Sequence, residues 1–228
     1  MIQFYNVSKV YENGVKAISD LTFHIKKGDF VFLVGPSGAG KSTLIKLIFR
    51  EELPSRGHVM FNGRNTVRMK GRDVPYMRRK IGMVFQDFRL LPQKTAAENV
   101  AFALEITGTS GREIKRVVPQ VLEQVGLKDK GKLLPGQMSG GEQQRVAIAR
   151  AIVNEPLMII ADEPTGNLDP DTSWEIMKLF QDINRRGTTI LMATHDSDIV
   201  NTMKKRVIAL SNGSMVRDEE SGVYRCES

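Results

Sequence analysis

"GPSGAGKSTL", residues 35–44, follows directly on the apolar run Phe30-Val31-Phe32-Leu33-Val34 and decides how the rest of the chain is read. Glycine loses more freedom on folding than any other residue, so Gly35, Gly38 and Gly40 together are poor material for stability alone. Five consecutive apolar residues read as a strand buried on both faces, and a helix is expected from Lys41. Gly35-Pro36-Ser37-Gly38-Ala39-Gly40-Lys41-Ser42 fits G-x-x-x-x-G-K-[ST] in the strand–loop–helix context that the pattern requires. Without a Cβ in the way, backbone N–H groups turn inward around a phosphate. The helix N-terminus adds its positive dipole end. The stretch therefore predicts a site for a nucleotide: Lys41 reaches the β and γ phosphates, Ser42 offers a hydroxyl to Mg²⁺, and Thr43 belongs to the same turn.

A phosphate loop needs a metal anchor and a group that prepares water. Leu157-Met158-Ile159-Ile160-Ala161 reads as a second buried strand and runs straight into Asp162-Glu163. That puts two carboxylates at the edge where ligands of open α/β sheets collect. Asp162 is expected to hold Mg²⁺ through its water shell, and Glu163 to orient and deprotonate the attacking water. Ser139-Gly140-Gly141-Glu142-Gln143 precedes a helix read over 142–153, with Ala147, Ile148, Ala151 and Ile152 on one side. A serine and two glycines there suggest a second anion-receiving helix end. With one phosphate loop per chain, the second end is read as serving a nucleotide held by another copy. A plain helix cap would account for Ser139 but not for both glycines.

The remaining pattern alternates β-rich and helical stretches. Residues 2–10 and 17–25 read as strands around a turn at Glu12-Asn13-Gly14, and another strand near 58–62 ends at Asn62-Gly63. Residues 95–106 and 112–125 read as helices, the first opened by a Thr95/Glu98 capping box. Pro170 to Arg185 reads as a helix capped by Asp169. A buried strand, Thr188 to Thr194, precedes a short helix and two closing strands near 206–210 and 214–217. Strands alternating with helices indicate an α/β fold around a largely parallel sheet. The expected division is a core of residues 1–87 and 151–220, a helical subdomain of about 88–150, and a polar tail at 221–228.

Composition agrees with an ordinary globular chain: 228 residues, 41% hydrophobic and 26% charged. No apolar run approaches the roughly 20 residues that span a bilayer, and the N-terminus does not read as a signal peptide. Cys226, the single cysteine, fits a reducing compartment. The net charge of +7 is concentrated: residues 61–135 carry 15 Lys/Arg against 7 Asp/Glu. Arg64, Arg68, Lys70, Arg72, Arg78, Arg79 and Lys80 supply much of that surplus. A solvated face, nucleic acid and the anionic inner surface of a membrane all fit such a run.

The phosphate loop, Gln86 after a strand, Ser139-Gly140-Gly141-Glu142-Gln143, Asp162-Glu163, Asn167-Leu168-Asp169 and His195 occur in the order seen in ATP-binding-cassette (ABC) ATPases. The chain resembles that family over nearly its whole length. The resemblance implies a P-loop NTPase with a mainly parallel sheet core, an antiparallel β-subdomain and a helical subdomain. It implies Mg²⁺-dependent ATP hydrolysis by two copies closed head to tail around two ATP molecules. Tyr11 is similar to the aromatic residue that stacks on adenine. Gln86 would sense Mg²⁺ and the attacking water, Asp169 would touch the opposing phosphate loop, and His195 would contact the γ-phosphate. Met138 and Glu142 depart mildly from the family's commoner leucine and glutamine.

The resemblance also implies a separate integral membrane partner and a peripheral place on the cytoplasmic side of the cell membrane. Residues Asp87 to Pro92 would form a groove for a short helix of that partner, with Phe88 in the groove and Leu91 in the core. Nucleic acid is not expected, because the long coiled-coil insertion of DNA-repair members and the second cassette of translation members are both missing. "VGPSGAGKSTLIKLI", "RRKIGMVFQDFRLLP", "ADEPTGNLDPDTSWEIM" and "TTILMATHDSDIVN" are similar to members that drive a signal through a membrane partner in cell division. Members that power lipoprotein-releasing or macrolide-efflux exporters are the alternative.

Overall fold

The computed structural model describes residues 1–225, so Cys226 and the end of the polar tail lie outside the described residues. The chain folds as two compact units, Met1–Arg78 with the stretch from Thr189 onward, and Arg79–Thr188.

In the first unit, β1 (Ile2–Val10) and β2 (Lys16–Ile25) form an antiparallel pair. Their turn is closed by Tyr11 N–H to the Val15 carbonyl at 2.9 Å and Gly14 N–H to the Tyr11 carbonyl at 2.9 Å. β4 (Arg56–Phe61) flanks the other side of β1, followed by the two-residue β5 (Arg64–Asn65), giving the antiparallel order β2-β1-β4-β5. β3 (Phe30–Val34) runs parallel to both β8 (Thr189–Ala193) and β9 (Arg206–Ser211), and β10 (Ser214–Glu219) returns antiparallel to β9. Every residue of β3 and β8 is buried, as continuous apolar runs require. α1 (Lys41–Phe49) turns Leu44, Ile45, Leu47 and Ile48 inward and packs on β2 and β4.

The basic stretch is less uniform than its charge suggests. α1 ends at Arg50 in the left-handed conformation (φ 54°). Arg78, the last residue of α2 (Val74–Arg78), donates to the carbonyls of Phe49 (2.9 Å) and Arg50 (3.2 Å). It thus satisfies carbonyls that a helix end leaves orphaned. Arg64, Arg68, Lys70 and Arg72 remain exposed.

In the second unit, β6 (Ile81–Phe85) and β7 (Met158–Asp162) pair in parallel. α3 (Ala96–Ile106), α4 (Gly111–Gln124), α5 (Gly140–Ile152) and α6 (Pro170–Arg185) complete it, with α5 packed on β6 and on the other three helices. Gly82 permits the close approach of β6 to α5, since a Cβ there would lie 2.6 Å from the Ala151 carbonyl oxygen. Thr95/Glu98 and Asp169 cap α3 and α6 as their sequences predict. Among the described residues no helix is long and apolar enough to cross a membrane.

One buried side chain organises the segment ahead of α3. Asn99 accepts from the Leu91 N–H (2.8 Å) and donates to the carbonyls of Leu91 (3.1 Å), Lys94 (2.9 Å) and Thr95 (3.0 Å). Asn99→Ala should lower stability by about 1–3 kcal/mol, because the part-buried backbone groups of the loop lose their partner. Urea denaturation measures it, and an unchanged midpoint would mean that the loop is held by other contacts.

Candidate functional site

In the first unit the glycine loop spans the end of β3 and the start of α1. Gly35 (φ 143°), Gly38 (φ 78°) and Gly40 (φ 103°) all lie where L side chains are strained. Space forbids a side chain at two of them. A Cβ on Gly35 would overlap the Leu210 carbonyl oxygen, and one on Gly40 would lie 2.7 Å from the Ala17 carbonyl oxygen. The loop is pinned from behind by Gly213 N–H to the Ala39 carbonyl at 3.1 Å. Lys41 curls back, its Nζ donating to the loop's own Gly35 (2.5 Å) and Pro36 (3.0 Å) carbonyls.

α1 differs from α3, α5 and α6 in how it begins. Those three carry a side-chain cap, whereas Gly40 contributes none and the first turn of α1 holds no acidic residue. First-turn N–H groups facing a glycine loop suit an anion. Ser37 and Ser42 are exposed beside them, and Ala39 is buried.

Tyr11 lies next to this loop, its hydroxyl 3.3 Å from the Thr43 hydroxyl, and Lys9 Nζ stands 5.0 Å from its ring centroid. His195 reaches the same edge by register. Leu33 pairs with Ala193, the last residue of β8 and the last but one of β3, and Gly35 and His195 each follow two residues later. Thr194 is buried and its hydroxyl accepts from the Asp196 N–H at 3.0 Å, which fixes the turn and leaves His195 exposed.

In the second unit the carboxylates stand at a matching strand edge. Phe85 pairs with Asp162, so Gln86 and Glu163 both come one residue beyond the pair. Glu163 has φ 49°, a costly conformation for a side chain other than glycine. It begins a tight turn in which Gly166 N–H bonds the Glu163 carbonyl at 3.1 Å and Leu168 N–H the Thr165 carbonyl at 3.0 Å. Gln86 and Asn167 bond reciprocally: Gln86 Nε2 donates to Asn167 Oδ1 (3.2 Å), and Asn167 Nδ2 donates to the Gln86 carbonyl (3.1 Å). Gly166 makes room for that amide, because a Cβ there would lie 2.9 Å from Gln86 Nε2.

The Ser139 end of α5 is better occupied than its sequence suggests. The helix begins at Gly140, two residues before the expected 142. Ser139 Oγ accepts from Glu142 N–H at 3.3 Å, and Glu142 Oε2 accepts from Ser139 N–H at 2.9 Å. Glu142 also pairs with Lys130. The glycines have a local reason too. A Cβ on Gly141 would overlap Thr172 Cγ2, and one on Gly140 would lie 3.2 Å from Leu168 Cδ2. An open cleft of about 380 Å³ lies here, lined by Ser139, Gly141, Glu142, Arg145 and Thr172 among others. Asp169 sits nearby as the cap of α6, accepting from Thr172 N–H at 3.0 Å. The Thr172 side-chain hydrogen bond, and then the Thr172 N–H, hold its carboxyl below the usual aspartate range.

The first unit thus brings Tyr11, the phosphate loop, Lys41, Ser42, Thr43 and His195 to one edge. The second brings Gln86, Asp162 and Glu163 to another, with Ser139, Gly140, Gly141, Glu142 and Asp169 at neighbouring helix starts. Among the described residues no group of three or more His, Cys, Asp or Glu is placed to hold a metal unaided. Each unit offers hard oxygen donors of the kind Mg²⁺ takes beside phosphates and water, the Ser42 hydroxyl in the first and the Asp162 carboxylate and Gln86 amide in the second.

Sequence reading missed one supporting residue. Gln144 is fully buried and donates to the Pro164 carbonyl at 2.5 Å, beneath the Glu163 turn. Its signal was available: 144 shares a helical face with Ala147, Ile148 and Ala151.

Three comparisons bear on this arrangement. A family model described as ABC transporter matches residues 18–166. The chain is 58% identical to the cell division ATP-binding protein FtsE of Bacillus subtilis (strain 168), over 98% of each chain. It is 52% identical to the protein of the same name from Escherichia coli (strain K12), over 94% of this chain and 97% of that one. A dimeric post-hydrolysis structure of the ATP-binding cassette MJ0796, bound to ADP and Pi, superposes with a TM-score of 0.86 at 37% identity. It covers 98% of this chain and 100% of its own.

The Glu142 carboxyl lies below its ordinary value of 4.5, chiefly through the Lys130 hydrogen bond and then the Ser139 N–H. A group whose pKa is lower folded than unfolded adds stability above the unfolded value, and that stability is lost as pH falls through the folded value. Glu142→Gln keeps a side chain able to complete the cap but removes the ion pair. Wild type should exceed this variant by at most about 1 kcal/mol near neutral pH, as for other solvent-screened pairs. The gap should close in acid below 4.5. Urea midpoints across pH check this, and a gap that widens in acid would contradict it.

Proposed function

This chain belongs to the ABC transporter family, and on that premise we propose that it is the ATP-hydrolysing subunit of a membrane-associated complex in cell division. The phosphate loop at the uncapped start of α1 carries the reading, since that geometry suits a polyphosphate. Likeness to FtsE over nearly the full chain supports the division role. In that role ATP turnover passes through an integral membrane partner, FtsX, to peptidoglycan hydrolases outside the cell. The subunit would sit at the cytoplasmic side of the membrane without spanning it.

In this reading backbone N–H groups within residues 35–43, where Pro36 offers none, and the Lys41 ammonium bind the β and γ phosphates, while Tyr11 stacks on adenine. Ser42, Asp162 and Gln86 would hold Mg²⁺, which neutralises phosphate charge when bound. Glu163 orients the attacking water and accepts its proton, and His195 contacts the γ-phosphate. Ser139, Gly140, Gly141 and Glu142, with Asp169, would face the nucleotide of a second copy. The dimeric state of MJ0796 supports two copies as the working unit.

Two outcomes test this reading. Glu163→Gln should bind ATP normally yet lose about 10²–10⁴-fold in turnover, the usual scale of general-base catalysis. A purified variant with near-normal turnover would remove Glu163 from that role. Separately, Lys41→Ala and Ser139→Arg chains should each be inactive, and mixing them should restore activity through one intact composite site. Circular dichroism should first show that Ser139→Arg is folded, because the change also removes the cap of α5. Full activity in a chain that stays monomeric with ATP would exclude the paired site.

A further inference from the structure

The turn that follows Gln86 is held in an expensive conformation by a residue with no place in the site so far. Phe88 (φ 56°) and Arg89 (φ 47°) are both left-handed, and two successive non-glycine residues rarely are. The turn is tight, with Phe88 N–H to the Phe85 carbonyl at 3.3 Å and Arg89 N–H to the Asp87 carbonyl at 2.6 Å. The carbonyls of residues 88 and 89 are both taken by one guanidinium from the last turn of α5. Arg150 Nη2 donates to the Phe88 carbonyl at 2.9 Å, and Nη1 to the Arg89 carbonyl at 2.6 Å.

The guanidinium is the group for this task. Its rigid planar fork presents two donors to two adjacent acceptors, which a lysine ammonium does less well. Both acceptors are neutral, and burial draws the Arg150 pKa below its usual value. A half-hidden cation satisfied only by carbonyls is an unfavourable placement unless those carbonyls are well aimed. The strained turn and the cation therefore depend on each other. Phe88 also reaches the opposite end of the same helix: a Cβ on Gly140 would lie 3.9 Å from Phe88 Cζ. At its other end the turn is fastened through the reciprocal Gln86–Asn167 bonds.

We propose that Arg150 is a positioning residue that makes residues 86–89 a single two-state element, so that a change of partner at Gln86 is delivered as movement of Phe88. This rests on the reading of Gln86 as a nucleotide contact. When the Gln86 amide turns from Asn167 to a bound nucleotide, the short turn has no slack. The strain at 88 and 89 is then redistributed against the Arg150 fork rather than dissipated locally. Without the fork, Phe88 and Arg89 relax to ordinary backbone conformations whatever Gln86 contacts.

The test uses the full chain with Phe88→Trp as reporter and Trp174→Phe to remove the native signal. A non-hydrolysable ATP analogue is added with Mg²⁺, and its binding is measured independently by equilibrium dialysis. In the reporter chain the analogue should shift the tryptophan emission. With Arg150→Gln added, analogue affinity should stay within about twofold while the emission shift disappears. In the chain without the reporter, Arg150→Gln should lower kcat about tenfold and leave KM for ATP within about twofold.

A shift of undiminished size in the Arg150→Gln reporter would overturn the proposal, as would a reporter that binds the analogue with no shift. If Arg150→Gln does not fold, Arg150→Lys carries the test: a shift below half the reporter's size supports the proposal and a full shift overturns it. Failure of the parent chain to bind the analogue would instead overturn the ATPase reading.

Discussion

Backbone crowding at Gly35 and Gly40 is the constraint from which the first unit's chemistry follows. Carbonyl groups of Leu210 and Ala17 stand where their side chains would be. Leu210 lies in β9, held between β3 and β10, and Ala17 lies in β2, paired with β1, so neither carbonyl has freedom to retreat. The loop must therefore be made of glycine there. α1 begins without a side-chain cap because the loop is shaped for another acceptor. Lys41, lying over the loop carbonyls, supplies the cation that such an acceptor would meet.

The second unit is organised differently, around side-chain hydrogen bonds to main-chain carbonyls. Gln144 supports Pro164, Asn167 supports Gln86, Arg150 supports Phe88 and Arg89, and Asn99 supports the segment from Leu91 to Thr95. Each holds an irregular segment that no ladder could hold, and two of those segments contain left-handed residues. α5 supplies two of the four supports and also carries the Ser139–Glu142 cap. A helix that braces several turns at once transmits a displacement better than turns braced separately, because packed elements shift as units.

The two glycines after Ser139 show how one residue type can answer two demands. Their sequence context points to an anion, and their packing against Leu168 and Thr172 demands the absence of a Cβ. These reasons are compatible, since a residue without a Cβ meets both. Arg78 illustrates the converse. In sequence it is one of a row of basic residues, yet in the fold it closes the end of α1 while Arg64, Arg68, Lys70 and Arg72 stay at the surface.

Local physics made much of the molecule legible in the sequence. Buried strands are short and mostly apolar, caps sit one residue ahead of their helices, and the phosphate loop is bounded by a strand and a helix, so β3, β7, β8, α3, α6 and residues 35–43 were readable directly. Gln86, Glu163 and Asp169 follow recognisable strand ends or caps and were readable as candidates. The tertiary structure alone decided what depends on contacts between residues distant in sequence. Arg150 reaches carbonyls 61 and 62 positions away, Gln86 and Asn167 meet across 81, and Arg78 caps a helix 29 positions behind it. An arginine bonded to neutral carbonyls leaves no pattern along the chain, because its partners are main-chain atoms that every residue possesses.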